Sequence, residues 1–175
     1  MVKTKLIVLK NSDKLEIMNR YFYLSDEEER LAALLTPEDS GTTPELRAVQ
    51  EERETLYPIA HGPLNFSTIS EIKGHSFVNK SLNVSHFFDL EFELEKDKIE
   101  SFVADCLIVQ ENPSIASEVL PVNPKQEDES RLDPFGNFKY DEQYLAEVEE
   151  MKNLFVNILA TTDWDKELIF LKNTY

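Results

Sequence analysis

The residues from Phe88 to Glu95 alternate strictly between apolar and acidic side chains. A period of two is that of a β-strand, in which successive side chains point to opposite faces. The sequence therefore predicts a strand with one face packed on a core, formed by Phe88, Leu90, Phe92 and Leu94. The other face is a row of carboxylates that must meet water or a cationic partner, formed by Asp89, Glu91, Glu93 and Glu95.

Other segments also have the composition of strands. Residues 5–9, Lys-Leu-Ile-Val-Leu, are apolar with β-branched residues in the middle, which is typical of a buried strand. Residues 66–72 and 76–82 are rich in Phe, Val, Ile, Thr and Ser, and with residues 84–95 they predict an antiparallel meander. Residues 167–172 predict a closing strand beside the N-terminal one, which would join both ends of the chain in one sheet.

Helix starts are marked in the first third of the chain. Ser25 and Glu28 form a capping box, in which each side chain satisfies a backbone N–H of the first turn, and they predict a helix that begins there. The dipeptide Thr43-Pro44 places a capping residue before a proline at the first helical position. That helix is predicted to end near Leu56, because Pro58 removes a backbone donor.

Two further helices follow, one from Asp97 to before Pro113 and one over residues 141–160, where an apolar stripe continues for five turns. The pattern as a whole predicts an α+β fold. Its central, mostly antiparallel sheet would contain the N-terminal strand, the mid-chain meander and the C-terminal strand, packed by about four helices. A chain of 175 residues predicts a single domain, residues 1–175.

Residues 121–136 interrupt these patterns. They hold three prolines and the charged run Gln-Glu-Asp-Glu-Ser from Gln126 to Ser130. The composition predicts a mobile acidic loop, and loops of this length inside domains are often functional. Glu127, Asp128 and Glu129 are therefore candidate partner-binding residues.

The net charge of −16, from 34 acidic and 18 basic residues, changes the functional picture. Contacts with phosphate need Lys and Arg, so direct binding to nucleic acid or to anionic lipid is disfavoured. A basic protein partner is favoured instead, and solubility alone is the other interpretation. With one cysteine and no apolar run long enough for a signal peptide or a membrane span, the sequence predicts a cytoplasmic protein.

No motif in the sequence indicates a particular chemistry. The four glycines are too far apart for a phosphate-binding loop, and the three histidines are isolated, so neither a cofactor nor a metal is predicted. Cys106 lies on the apolar stripe of its helix, where a cysteine is usually an inert core residue. Trp164, between Asp163 and Asp165, is interpreted either as a lid on the core or as an exposed anchor for a partner.

Side chains on one strand face repeat every ~6.6–6.8 Å, so the acidic row would be about 20 Å long. Such a row could imitate the phosphates of DNA in the basic channel of a nucleic-acid enzyme. The pattern favours the simpler interpretation, the solvent face of an antiparallel sheet, which alternates in the same manner. Lys96 and Lys98 interrupt the negative field at one end of the row.

The leading hypothesis is a non-enzymatic module that engages a basic protein, as an inhibitor, antitoxin, immunity protein or DNA mimic would. One alternative is a small hydrolase or transferase with a carboxylate and histidine site, and another is a structural subunit of a larger assembly. The sequence leaves the oligomeric state open. The candidate partner-binding residues are Asp89, Glu91, Glu93, Glu95, Glu127, Asp128, Glu129 and Trp164.

Overall fold

The structure is a computed structural model that describes residues 5–11, 14–83 and 91–174. The backbone divides into two compact units. The sheet unit comprises Met1–Lys10, Ser67–Trp164 and Leu168–Tyr175, and the hairpin unit comprises Asn11–Phe66 and Asp165–Glu167. The expectation of a single domain remains a prediction.

Within the described residues, four strands form one sheet: β1 (Lys5–Asn11), β2 (Ser67–Lys73), β3 (Glu91–Glu93) and β4 (Leu168–Thr174). Their order is β2-β1-β4-β3, and the β1–β2 and β3–β4 pairs are antiparallel. The predicted α+β fold with a mostly antiparallel sheet is confirmed, and so is the position of the C-terminal strand beside the N-terminal one. Both central strands bury their apolar residues, as Leu6, Val8, Ile169 and Leu171 show.

The middle of the chain differs from the predicted meander. Residues 76–82 were predicted as a strand, but Ser76–Ser81 is a helix, α3. Phe77, Val78 and Leu82 are all buried. In a strand, Phe77 and Val78 would point to opposite faces of the sheet, but a helix directs all three side chains to one side. The strands β2 and β3 occupy opposite edges of the sheet, so they are not neighbours. Most of the predicted strand over residues 84–95 lies outside the described residues.

The helices α4 (Lys96–Glu111), α5 (Ala116–Val119) and α6 (Glu142–Thr161) complete the described sheet unit. The long helices α4 and α6 confirm the two predicted from helical spacing. They share a core in which the rings of Phe102 and Phe155 meet edge to face, with centroids 5.2 Å apart. Cys106 is fully buried in this core, and burial raises the pKa of its thiol to about 12, so the cysteine is an inert core residue at neutral pH.

The hairpin unit consists mainly of two long helices, α1 (Leu15–Ala33) and α2 (Pro44–Ala60). The predicted helix start at Ser25 was wrong, because α1 continues through it. Residues before Ser25 are already helical and leave no open N–H to cap, and the Ser25 hydroxyl donates to the carbonyl of Tyr21, one turn earlier.

The predicted start of α2 is confirmed, since the Thr43 hydroxyl accepts the N–H of Leu46 at 3.2 Å. The predicted end near Leu56 was wrong, because Pro58 lies inside the last turn of α2. A proline in this position removes a single backbone hydrogen bond, and only two residues follow it before the helix ends at Ala60.

Candidate functional site

The described part of the acidic row keeps the predicted alternation. Glu91, Glu93 and Glu95 are exposed, whereas Phe92 is half-buried and Leu94 is only 3% exposed. The buried residues anchor the segment: Glu91 and Glu93 stand on the exposed face of β3, which pairs with β4, and Glu95 follows the strand as the extended residue just before α4. Asp89, the fourth carboxylate of the predicted row, lies outside the described residues.

The charges of the row are only partly offset within the described part of the chain. Neither Glu93 nor Glu95 makes a side-chain ion pair with another described residue, and Glu91 stands opposite Lys172 on β4. Lys96, which was expected to weaken the negative field, lies 3.9 Å from Glu100, one turn along α4. Both side chains are about half exposed, so this pair is weak and Lys96 still places positive charge beside Glu95.

The other predicted acidic residues do not form one group. Asp128 and Glu129 are exposed, but the side chain of Glu127 is only 16% exposed and faces Arg131 at 3.8 Å. Glu127 therefore belongs to an internal ionic cluster, which reduces the charge that it can offer to a partner.

This ionic cluster, formed by His75, Glu127, Arg131 and Glu147, was not predicted. The two oxygens of Glu147 accept separately, one from His75 Nδ1 at 3.0 Å and one from Arg131 Nη1 at 2.6 Å. The Arg131 guanidinium also lies over the ring of Phe138, with its Cζ 4.9 Å from the centroid. Because one carboxylate on α6 accepts from both side chains, it ties the start of α3 to the segment after residue 121.

The two carboxyl groups of the ionic cluster have pKa values shifted in opposite directions. Burial acts to raise the pKa of Glu147, but the hydrogen bond and charge of His75, followed by Arg131, outweigh it and hold that pKa below its ordinary value. Burial raises the pKa of Glu127, and the negative charge of Glu147 adds to the effect. Glu147 therefore accepts hydrogen bonds from both His75 and Arg131. The interactions of Glu127, in contrast, do not offset the cost of burying its negative charge.

The segment of residues 121–136 has no long helix or strand, in agreement with the predicted loop character. It contains two 3₁₀ turns, at Pro124–Gln126 and Glu129–Arg131. It is anchored at its start, where the hydroxyl of Tyr144 donates to the carbonyl of Leu120 at 2.8 Å and the N–H of Val122 donates to the Tyr140 hydroxyl at 3.1 Å. The mobility of this segment remains a prediction.

Trp164 packs half-buried against the core of the sheet unit, and its indole N–H donates to the carbonyl of Leu159 at 3.4 Å. This placement matches the interpretation of Trp164 as a lid on the core. Its role as an anchor for a partner remains a prediction.

The described residues contain no group of three or more His, Cys, Asp or Glu side chains placed to hold a metal ion. None of the described helices combines the length and the apolar content that crossing a membrane requires. Comparison with protein-family models, curated protein sequences and solved structures gave no match to this chain.

Proposed function

We propose that this protein is a non-enzymatic acidic module that binds a basic partner protein through Glu91, Glu93 and Glu95. The observation that carries the proposal is the burial pattern from residue 91 to residue 95, which alternates with the charge. The apolar positions are used by the fold, so Glu91 and Glu93 are presented on a supported strand and Glu95 is exposed where the strand leads into α4.

The arrangement of these carboxylates, more than the number of acidic residues in the chain, favours binding of a partner. The backbone that carries these carboxylates is largely fixed before the partner arrives, so binding has to order the side-chain rotamers but little of the backbone. Their combined field, in a chain of net charge −16, would accelerate encounter with a basic surface and make it sensitive to salt. Inhibitors of nucleic-acid enzymes, antitoxins, immunity proteins and DNA mimics all belong to this class of partner recognition.

The test compares two triple variants of equal charge in pull-downs from cell lysate at low salt. In the first, Glu91, Glu93 and Glu95 are replaced by Gln; in the control, the exposed α2 residues Glu45, Glu51 and Glu54 are replaced by Gln. We expect the first variant to lose the basic proteins that the wild type captures, because the contact charges are gone, and the control to retain them. Equal retention or equal loss by both variants would refute the proposed surface.

The structural-subunit alternative is supported by one observation in the hairpin unit. Several large apolar side chains are exposed there, among them Phe22, Tyr23, Leu34 and Tyr57, each more than half exposed. Exposed apolar patches often mark surfaces that another protein covers. Such a surface is compatible with the acidic row, since assembly and partner binding would use different units.

A further inference from the structure

A cleft of about 510 Å³ lies in the sheet unit between α3 and the start of the segment of residues 121–136. Its volume falls within the range of small-molecule sites, ~300–1,000 Å³. The described apolar residues of its lining are Pro121 and Val122. The described polar residues of its lining are Ser76, Asn79, Lys80, Asn83, Asn123 and Gln126.

The charge of this cleft contrasts with that of the chain. Acidic residues outnumber basic residues 34 to 18 in the sequence, yet the described lining contains Lys80 and no carboxylate. A ligand with an anionic group would meet a cation here instead of the repulsion that most of the surface would exert. The lining therefore favours an anion over a cation.

The amide groups of the cleft indicate the rest of the ligand. Four Asn and Gln side chains line it, and their amides can supply donors and acceptors to hydroxyl groups, although the Oδ1 of Asn123 already accepts the backbone N–H of Lys125 at 3.1 Å. The Oδ1 atom of Asn79 is shielded from solvent and is therefore out of reach of a ligand in the open cleft, so this amide can serve a ligand only through its N–H donors.

The walls of the cleft are held in position before any ligand binds. The Ser76 hydroxyl accepts the backbone N–H of Asn123 at 3.1 Å, which joins the two walls directly. His75, which precedes Ser76, and Arg131, beyond the opposite wall, are both bonded to Glu147 of α6. Binding would therefore need little ordering of the protein, which favours affinity for a small ligand.

We propose that this cleft binds a small polyhydroxylated anion of the size of a sugar phosphate or a sugar acid. Lys80 would contact the anionic group, and the amides of Asn79, Asn123 and Gln126 would bond the hydroxyls. The described lining has no aromatic side chain, which disfavours a stacked nucleobase. This inference is independent of the proposed protein-binding surface on β3, and either can fail without the other.

The test is a titration of the ¹⁵N-labelled full chain, followed by NMR, with glucose 6-phosphate, ribose 5-phosphate and gluconate in turn. We expect at least one of them to give saturable shifts in the side-chain amide signals of Asn79, Asn123 and Gln126. Glucose and inorganic phosphate, added separately, should bind at least about fivefold more weakly, since each supplies only half of the recognition. No saturable shift at the cleft with any of the three probes would overturn the proposal.

Two lysine variants refine the titration. Lys80→Gln should weaken binding of the responding probe by about fivefold and leave binding of glucose unchanged, because a single exposed ion pair is lost. Lys125→Gln is the matched control, since Lys125 lies on the same segment outside the lining and its loss changes the net charge equally. Equal effects of the two variants, or equal affinity for inorganic phosphate and the sugar phosphate, would show an adventitious ion only and contradict the proposal.

Discussion

Replacing Phe155 by alanine is expected to lower the free energy of unfolding of the sheet unit by about 3–5 kcal/mol. Phe155 is fully buried on α6, and its ring meets Phe102 of α4 edge to face. The substitution removes both the apolar burial and the aromatic pair, and it leaves a cavity between the two helices that form the core.

Urea denaturation followed by the fluorescence of Trp164 would measure this loss, since the chain's single tryptophan packs on the core of the same unit. Val156→Ala is the matched control, because Val156 is the next residue on α6 and is 43% exposed, and it should change the stability by less than about 1 kcal/mol. If Phe155→Ala does not fold, Phe155→Leu should still cost about 1–1.5 kcal/mol. Equal losses at both positions would contradict the described core.

Glu147→Gln is expected to lower the free energy of unfolding by about 2–4 kcal/mol at neutral pH. The glutamine keeps the shape of the side chain but removes the charge that holds His75 and Arg131, which are only 12% and 14% exposed. The same substitution at Glu127 should be neutral or stabilising by up to about 1 kcal/mol, because the fold disfavours the charged form of that carboxyl.

The difference between these two variants should depend on pH in a defined direction. Folding lowers the pKa of Glu147. The stabilisation of the fold by its negative charge is therefore fully present above the pKa of an unfolded glutamate, ~4.3, and is lost as the pH falls through the folded pKa. Folding raises the pKa of Glu127. The stabilisation that its neutral form gives the fold is therefore complete below the unfolded pKa and is lost as the pH rises through the folded pKa.

The increase in the free energy of unfolding from Glu127→Gln should therefore vanish at acidic pH. The decrease from Glu147→Gln should vanish there as well. Urea midpoints of both variants and the wild type, measured at neutral pH and at several acidic values, would show this. Destabilisation of the same size by both variants at neutral pH would contradict the assignment of the two carboxyl roles.

The sequence predicted those elements whose pattern is long or strictly periodic. The apolar stripe of α6 has the spacing of a helix, and the short apolar runs of β1 and β4 have the length and composition of buried strands. The short helix α3 was missed because six residues rich in Phe and Val fit a strand as well as a helix. At Ser25 and Pro58, local helix signals were overridden by the continuity of the longer helices that contain these residues.

The candidate site divides in the same way. The exposure of Glu91, Glu93 and Glu95 follows from the period of two, so the sequence alone could predict it. The pairing of Glu147 with His75 and Arg131 depends on three segments far apart in the chain, and among 34 acidic residues nothing in the sequence distinguishes Glu147. The cleft beside α3 was missed for a related reason, since it depends on a helix that the sequence did not reveal.

The central claim is that Glu91, Glu93 and Glu95 form a binding surface by their arrangement. Its most direct test is the salt dependence of the dissociation constant between the full chain and the captured basic partner, for the wild type and for the variant with Gln at 91, 93 and 95. The wild-type constant should rise tenfold or more between about 0.05 M and about 0.5 M salt, and the variant should show a much smaller rise. A wild-type constant that does not change with salt, or a variant whose constant rises as steeply as the wild type's, would contradict the claim.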